Sequence, residues 1–161
     1  MLKKIGIAIV IAIVGFVAAV MLFADDGVAS GDSSSSAERV AKTFVENVLA
    51  GKGEKAINSV GDYAVAASGL ETRKLFEHAF VSTVNDKYSK NSKTKYKKVT
   101  VIDSYPVDYE EFQVAGLDVR NVVLEMDYVK EGFFSDTEGE KTTTVTMVKE
   151  NNEWKVLYFD L

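Results

Sequence analysis

Apolar and polar positions divide this chain into three regimes. From Ile5 to Ala24, twenty consecutive residues carry no charge and twelve of them are Ile, Val, Leu or Phe; Lys3 and Lys4 precede the run, and Asp25 and Asp26 follow it. Wound as a helix at about 1.5 Å per residue, the run spans roughly 30 Å, the thickness of a hydrocarbon core. The alternation of Ile7, Ile9, Ile11 and Ile13 would suit a strand in water, but a lone strand in lipid leaves its backbone groups unpaired, so a transmembrane helix is expected. Inserting the twelve large apolar residues gains at most about 4–7 kcal/mol. The two lysines hold residues 1–4 in the cytoplasm, which places the rest of the chain beyond the 5–24 anchor outside it, in the periplasm or extracellular space. The alternative is a secretory signal, cut after Val17-Ala18-Ala19 or Val28-Ala29-Ser30, that releases the remainder; its usual apolar core of about 7–15 residues is shorter than this one.

Residues 25–36, DDGVASGDSSSS, have no hydrophobic period and read as a flexible linker with a reach of roughly 20 Å. A folded domain, 37–161, follows. Ser35 and Glu38 form a capping box that opens a helix, and Ala37, Val40, Ala41, Phe44, Val45, Val48 and Leu49 keep the i, i+3, i+4, i+7 rule until Gly51 and Gly53 end it. A short helix is expected over Glu54 to Val60. A third, over Glu71 to Tyr88, carries Leu75, Phe76, Ala79, Phe80 and Val84 on one face.

Beyond Lys95 the period changes from 3.6 to 2. Strands are expected at Tyr96 to Ser104, Phe112 to Leu117, Asn121 to Lys130, Lys141 to Glu150 and Glu153 to Phe159. Tyr105-Pro106 reads as a turn, Gly132 to Glu140 as a hairpin tip, and Asn151-Asn152 as a tight turn tolerant of positive φ. Val122, Leu124, Met126 and Tyr128 share one strand face, with Val145 and Met147 in phase and Trp154, Val156 and Tyr158 closing the set. The expected class is α+β: after the transmembrane helix, two to three helices pack on a curved antiparallel sheet.

Composition removes several chemistries. With no Cys among 161 residues there are no disulfides, thiolate nucleophiles, Cys-ligated metals or lipid-modified Cys anchors, and the single His, His78, leaves no His-rich metal site. A net charge of -5 speaks against nucleic acid as a partner. Gly51-Lys52-Gly53-Glu54-Lys55-Ala56 matches a dinucleotide fingerprint in letters but follows a helix where that fingerprint needs a strand. Asp136 to Glu140 resembles part of a calcium loop, yet Met147 occupies the twelfth position, where a bidentate Glu is required, so the tip reads as acidic and solvated. No metal and no cofactor is expected.

The opening AERVAKTFVENVLAGKGEKAINSV and closing TTTVTMVKENNEWKVLYFDL, the latter with Trp154-Lys155-Val156 after a charged turn, resemble the nuclear transport factor 2-like superfamily, or cystatin-like cone. The resemblance covers about three quarters of the chain, from Ala37 to Leu161. With its stem and linker, the chain looks most like bacterial exported or membrane-anchored proteins bearing one such domain. In topology alone it is similar to the inner-membrane scaffold subunits of type IV secretion machines, whose domain is longer. The resemblance implies a cone whose wide end can hold a ligand, and enzymes of the superfamily, isomerase-like or dehydratase-like, direct carboxylates, Tyr or His into it. Fold alone does not choose among these activities.

Strand phase argues against catalysis here. Glu125 and Asp127 alternate against Val122, Leu124, Met126 and Tyr128 and so face away from the helices. His78 falls about 200° from Phe76 on the third helix, on its polar side with Lys74. The candidate pocket residues are Tyr63, Phe80, Asp103, Met126, Tyr128, Trp154 and Tyr158, of which Asp103 and Tyr63 supply the polar groups for a weak isomerase-like or dehydratase-like reading. Lys87, Lys90, Lys93, Lys95, Lys97 and Lys98 form the strongest charge signal. They suit either an anionic surface or a solvated edge strand that lysines protect from unwanted pairing. The expected function is non-enzymatic: a single-pass membrane protein that presents its cone domain for protein contacts in the cell envelope, with a homo-oligomer or another protein as partner. The alternative is a carrier or sensor of a small apolar ligand.

Overall fold

The structure, a computed structural model, describes residues 34–88, 93–109, 112–113 and 115–160. The predicted anchor and most of the linker lie outside the described residues. Within them no helix is long and apolar enough to cross a membrane. The order is α1 (Ser34–Leu49), α2 (Gly53–Ala56) continued by a 3-10 turn (Ile57–Ser59), α3 (Asp62–Ala67), α4 (Arg73–Lys87), then β1 (Thr94–Pro106), β2 (Val119–Lys130), β3 (Thr137–Glu150) and β4 (Glu153–Phe159). The fold is therefore α+β, four helices against a curved antiparallel sheet whose strands lie side by side in chain order.

Helix α1 begins at Ser34, inside the predicted linker, and buries Ala37, Ala41, Phe44, Val45 and Val48 completely or nearly so. Gly51, at φ 64°, stops it: the Lys52 N–H donates to the Asn47 carbonyl at 2.8 Å and the Gly51 N–H to the Val48 carbonyl at 2.9 Å. Those two bonds satisfy carbonyls that the helix end leaves open. Asn85 of α4 ties α2 in place, accepting from the Gly53 N–H at 3.0 Å and donating to Glu54 at 3.1 Å. Helix α4 is capped by Thr72, whose hydroxyl oxygen accepts from the Leu75 N–H. Its inward row is Phe76 and Val84, both buried, with Phe80 half-buried between them. Leu75, predicted on the buried face, is 52% exposed, because it lies about 100° to the side of that row.

The core lies between the helices and one sheet face. Phe44 meets Phe159 edge-on with ring centroids 4.8 Å apart and Phe80 at 6.1 Å; Phe80 also meets Phe76 and Phe159. Val122, Leu124, Met126, Val145 and Met147 complete the sheet side, with Trp154 and Val156 from β4. A parallel bridge between Val60 and Val156 brings the α2–α3 junction onto β4.

Bulges alter the predicted phase at three points, the first leaving Lys97 extra between Tyr96 and Lys98 of β1. In β1 the register jumps between Val101 and Asp103, so Ile102 is extra and Asp103 falls opposite Val123, on the face away from the core. In β4 the jump lies between the Thr146–Tyr158 and Met147–Val156 pairs, so Leu157 is extra. Phe159, not Tyr158, therefore joins Trp154 and Val156 on the core side, paired with Val145. An inserted residue turns every later side chain to the other face. The predicted strand over Phe112 to Leu117 is instead a turn: Tyr109 O accepts from the Phe112 and Gln113 N–H groups, and Gly116 has φ 66°. Tyr105-Pro106, predicted as a turn, continues β1, and the β3–β4 turn has Asn151 and Asn152 at positive φ, as expected.

Candidate functional site

One cleft of about 290 Å³ opens between the α2–α3 junction, the start of α4 and the β3–β4 turn, lined by Asn58, Val60, Asp62, Arg73, Glu150 and Lys155 among others. Its centre is Glu150, at the last position of β3. The carboxylate accepts from the Asp62 N–H at 2.9 Å through Oε2 and from the Tyr63 N–H at 3.0 Å through Oε1. Helix α3 has no side-chain cap of its own at Gly61, so a residue 88 positions away supplies one. Arg73 closes the other wall, paired with Asp62, bonded to Glu77 at 2.8 Å and donating to the Val60 carbonyl at 3.3 Å. Burial works against the Arg73 charge, but the bonds and charges of Glu77 and Asp62 outweigh it and raise the guanidinium above its ordinary value. At the rim the hydrogen bond from Lys155, at 2.8 Å, holds the Glu153 carboxyl below its usual range.

The cleft's charged groups are thus occupied with one another. Glu150 and Arg73 are engaged as cap and brace, and no nucleophile–base pair is assembled from the lining residues. The arrangement joins α3 to the sheet.

None of the predicted pocket residues lines this cleft. Phe80, Met126 and Trp154 belong to the apolar core, where Met126 is fully buried and Trp154 nearly so. Tyr63 is 46% exposed on α3 and meets the cleft's edge through its backbone N–H. Asp103 is exposed, its carboxylate accepting from the Ser104 N–H at 2.7 Å. Tyr158 is half-buried on the face away from the core. Neither Asp103 nor the Tyr63 side chain is among the residues that line this cleft. His78 is exposed, as its helical angle predicted.

Tyr128 does join other tyrosines. Its ring lies 6.1 Å from Tyr96, which lies 6.4 Å from Tyr88. Burial, then the charge of Asp160, pushes the Tyr88 hydroxyl up to about 12; burial and the neighbouring tyrosines raise Tyr96 as well. This row runs beside the basic residues. Lys87 sits 5.3 Å from the Tyr88 ring centroid, Lys95 pairs with Glu131, Lys97 bonds Glu138 at 2.7 Å, and Lys93 and Lys98 are exposed; Lys90 lies outside the described residues. On the face away from the core, the carboxylates of Glu125, Asp127 and Glu140 come within 4.8 Å of one another, a partly exposed acidic group.

Sequence reasoning missed two features. The Glu150–Arg73 cleft depends on contacts across 88 and 13 positions. The other is the aromatic pair Phe133-Phe134 at the β2–β3 tip, 95% and 96% exposed, a signal present in a segment read as acidic and solvated.

No family model matches the chain, and no curated protein matches it. Among solved structures the chain is similar to a domain from Exiguobacterium sibiricum 255-15 assigned as a Ca/calmodulin-dependent kinase II association domain. The identity is 11% and the TM-score 0.45, over 84% of this chain and 95% of that one. It is also similar to the intermembrane space region of the chloroplast protein ARC6, at 12% identity and a TM-score of 0.31, over 82% of this chain and 97% of that one. At these scores neither likeness bears on activity, and the architecture is read from this chain's own elements.

Proposed function

We propose that the chain is a non-enzymatic, single-pass membrane protein whose nuclear transport factor 2-like head, held outside the cytoplasm by the 5–24 stem, makes protein contacts in the cell envelope. The observation that supports it is the filling of the head. The sheet face that would wall a ligand cavity is occupied by Phe44, Leu124, Met126 and Met147, all fully buried, with Phe80 and Phe159 closing over them. A carrier keeps an open apolar pocket of about 300 Å³ or more with a few convergent polar groups. Here three of the seven residues expected to line such a pocket, Phe80, Met126 and Trp154, are packed in or against the core. What the head offers to a partner is its outside.

The test is crosslinking of the full chain in intact membranes of a bacterial host, followed by mass spectrometry. Crosslinks from head-surface lysines to one recurrent envelope protein, or to a second copy, are expected. Native mass spectrometry that finds a small apolar molecule carried in the head would replace this reading with the carrier.

A further inference from the structure

We propose that the β2–β3 tip is a lipid-inserting finger: Phe133 and Phe134 enter the headgroup–acyl boundary of a bilayer containing anionic phospholipid. The proposal rests on the membrane reading above and says which end of the head meets the bilayer.

The two rings are 95% and 96% exposed and stand edge-on to each other, centroids 5.0 Å apart, so neither shelters the other from water. Large apolar side chains presented this way mark an interaction site. The finger is a short, tightly folded hairpin tip. The Ser135 carbonyl oxygen would clash with a Cβ on Gly132, so glycine permits this fold-back. Its base is tied to β1, the Glu131 N–H donating to the Lys93 carbonyl at 2.7 Å and the Glu131 carboxylate pairing with Lys95.

Those ties put the basic segment beside the finger. Register sets Thr94 opposite Lys130 and Lys95 opposite Val129, and Lys97 reaches across to Glu138 on β3. Glu131, with the charge of Asp136 beside it, and Glu138 take up Lys95 and Lys97, while Lys93 and Lys130 stay exposed at the base and form no ion pair among the described residues. The half-buried row Tyr88, Tyr96 and Tyr128 lies on the same end of the sheet. Aromatic rings at the tip, lysines at its base and tyrosines beside them match the layering of a bilayer interface, where amphipathic rings sit at headgroup level and basic side chains meet phosphates. A convex two-residue tip on a charged base suits a fluid surface better than a protein face, which needs about 800 Å² of complementary area on each side.

The chain has no cysteine, so a spin label on Ser135→Cys reports the finger while leaving both rings in place. The full chain is reconstituted into vesicles of phosphatidylcholine and phosphatidylglycerol. The label is expected at the headgroup–acyl boundary by oxygen against nickel-chelate accessibility. Adding Phe133→Ser and Phe134→Ser is expected to return the label to water, while the chain still floats with the vesicles through its 5–24 stem. A water-exposed label in the parent chain overturns the proposal, and so does a shielded label with dipolar broadening between labels, which would assign the rings to a second copy. If the double variant does not float but the parent label is lipid-shielded, the finger stands and the stem reading falls.

Discussion

Replacing Phe44 with Ala tests whether the head is solid. The ring is fully buried and packed against Phe159 at 4.8 Å and Phe80 at 6.1 Å, so its removal forfeits transfer free energy and leaves a cavity that these neighbours on α4 and β4 cannot close. Substitutions of this kind cost about 3–5 kcal/mol. At the entropy of unfolding of a domain this size, that lowers the melting temperature by roughly 10–20 °C. The assay is urea unfolding of the full chain in mild detergent, followed by the fluorescence of Trp154, the single tryptophan. Leu75→Ala, at a position 52% exposed, serves as the control and is expected to change stability by about 0.5 kcal/mol or less. If the Phe44 ring bordered an open, wet cavity, water would replace it and the cost would fall below about 1.5 kcal/mol. That smaller value, with a normal control, would refute the filled core and restore the carrier reading.

Glu150→Ala removes both acceptors from the α3 N-terminus and is expected to cost about 1–2 kcal/mol, with faster hydrogen exchange at the Asp62 and Tyr63 amides; unchanged exchange there would contradict the capping role. In alkali, Tyr88 ionises in the unfolded chain near its ordinary value of 10 but in the folded chain only at about 12. Its neutral form therefore supports the fold fully below about pH 10, and that support is lost as pH rises through about 12. Tyr88→Phe is expected to flatten the decline in stability across this window, read from urea midpoints at successive pH values, and an unchanged slope would contradict it.

Periodicity carried far where elements are regular. Helix α1 buries the stripe that its spacing predicts, and β2 alternates Val122, Leu124 and Met126 inward as expected. It failed where one residue is inserted. Ile102 and Leu157 carry no mark in the sequence that distinguishes a bulge from ordinary alternation, yet they decide that Asp103 and Tyr158 leave the core face. Helix α3 was not foreseen because its six residues, DYAVAA, are too short for a period and its cap comes from Glu150 on a distant strand. Phe112 to Leu117 looked like a strand by apolar content, but Gly116 at positive φ closes it into a turn. Phe133-Phe134 was legible as a pair of adjacent large apolar residues; the acidic neighbours Glu131, Asp136 and Glu138 drew the reading toward a solvated tip.

The account turns on a head held outside the cytoplasm by a retained stem. Because the chain lacks cysteine, the most direct measurement is labelling of a single introduced cysteine, Ser82→Cys at an exposed position of α4 in the full chain, with a membrane-impermeant maleimide in intact bacterial cells and the intact mass of the labelled protein read afterwards. The account predicts labelling without lysis on a chain whose mass still includes residues 1–24. Labelling only after lysis, or a labelled chain that begins after Ala19 or Ser30, would contradict it.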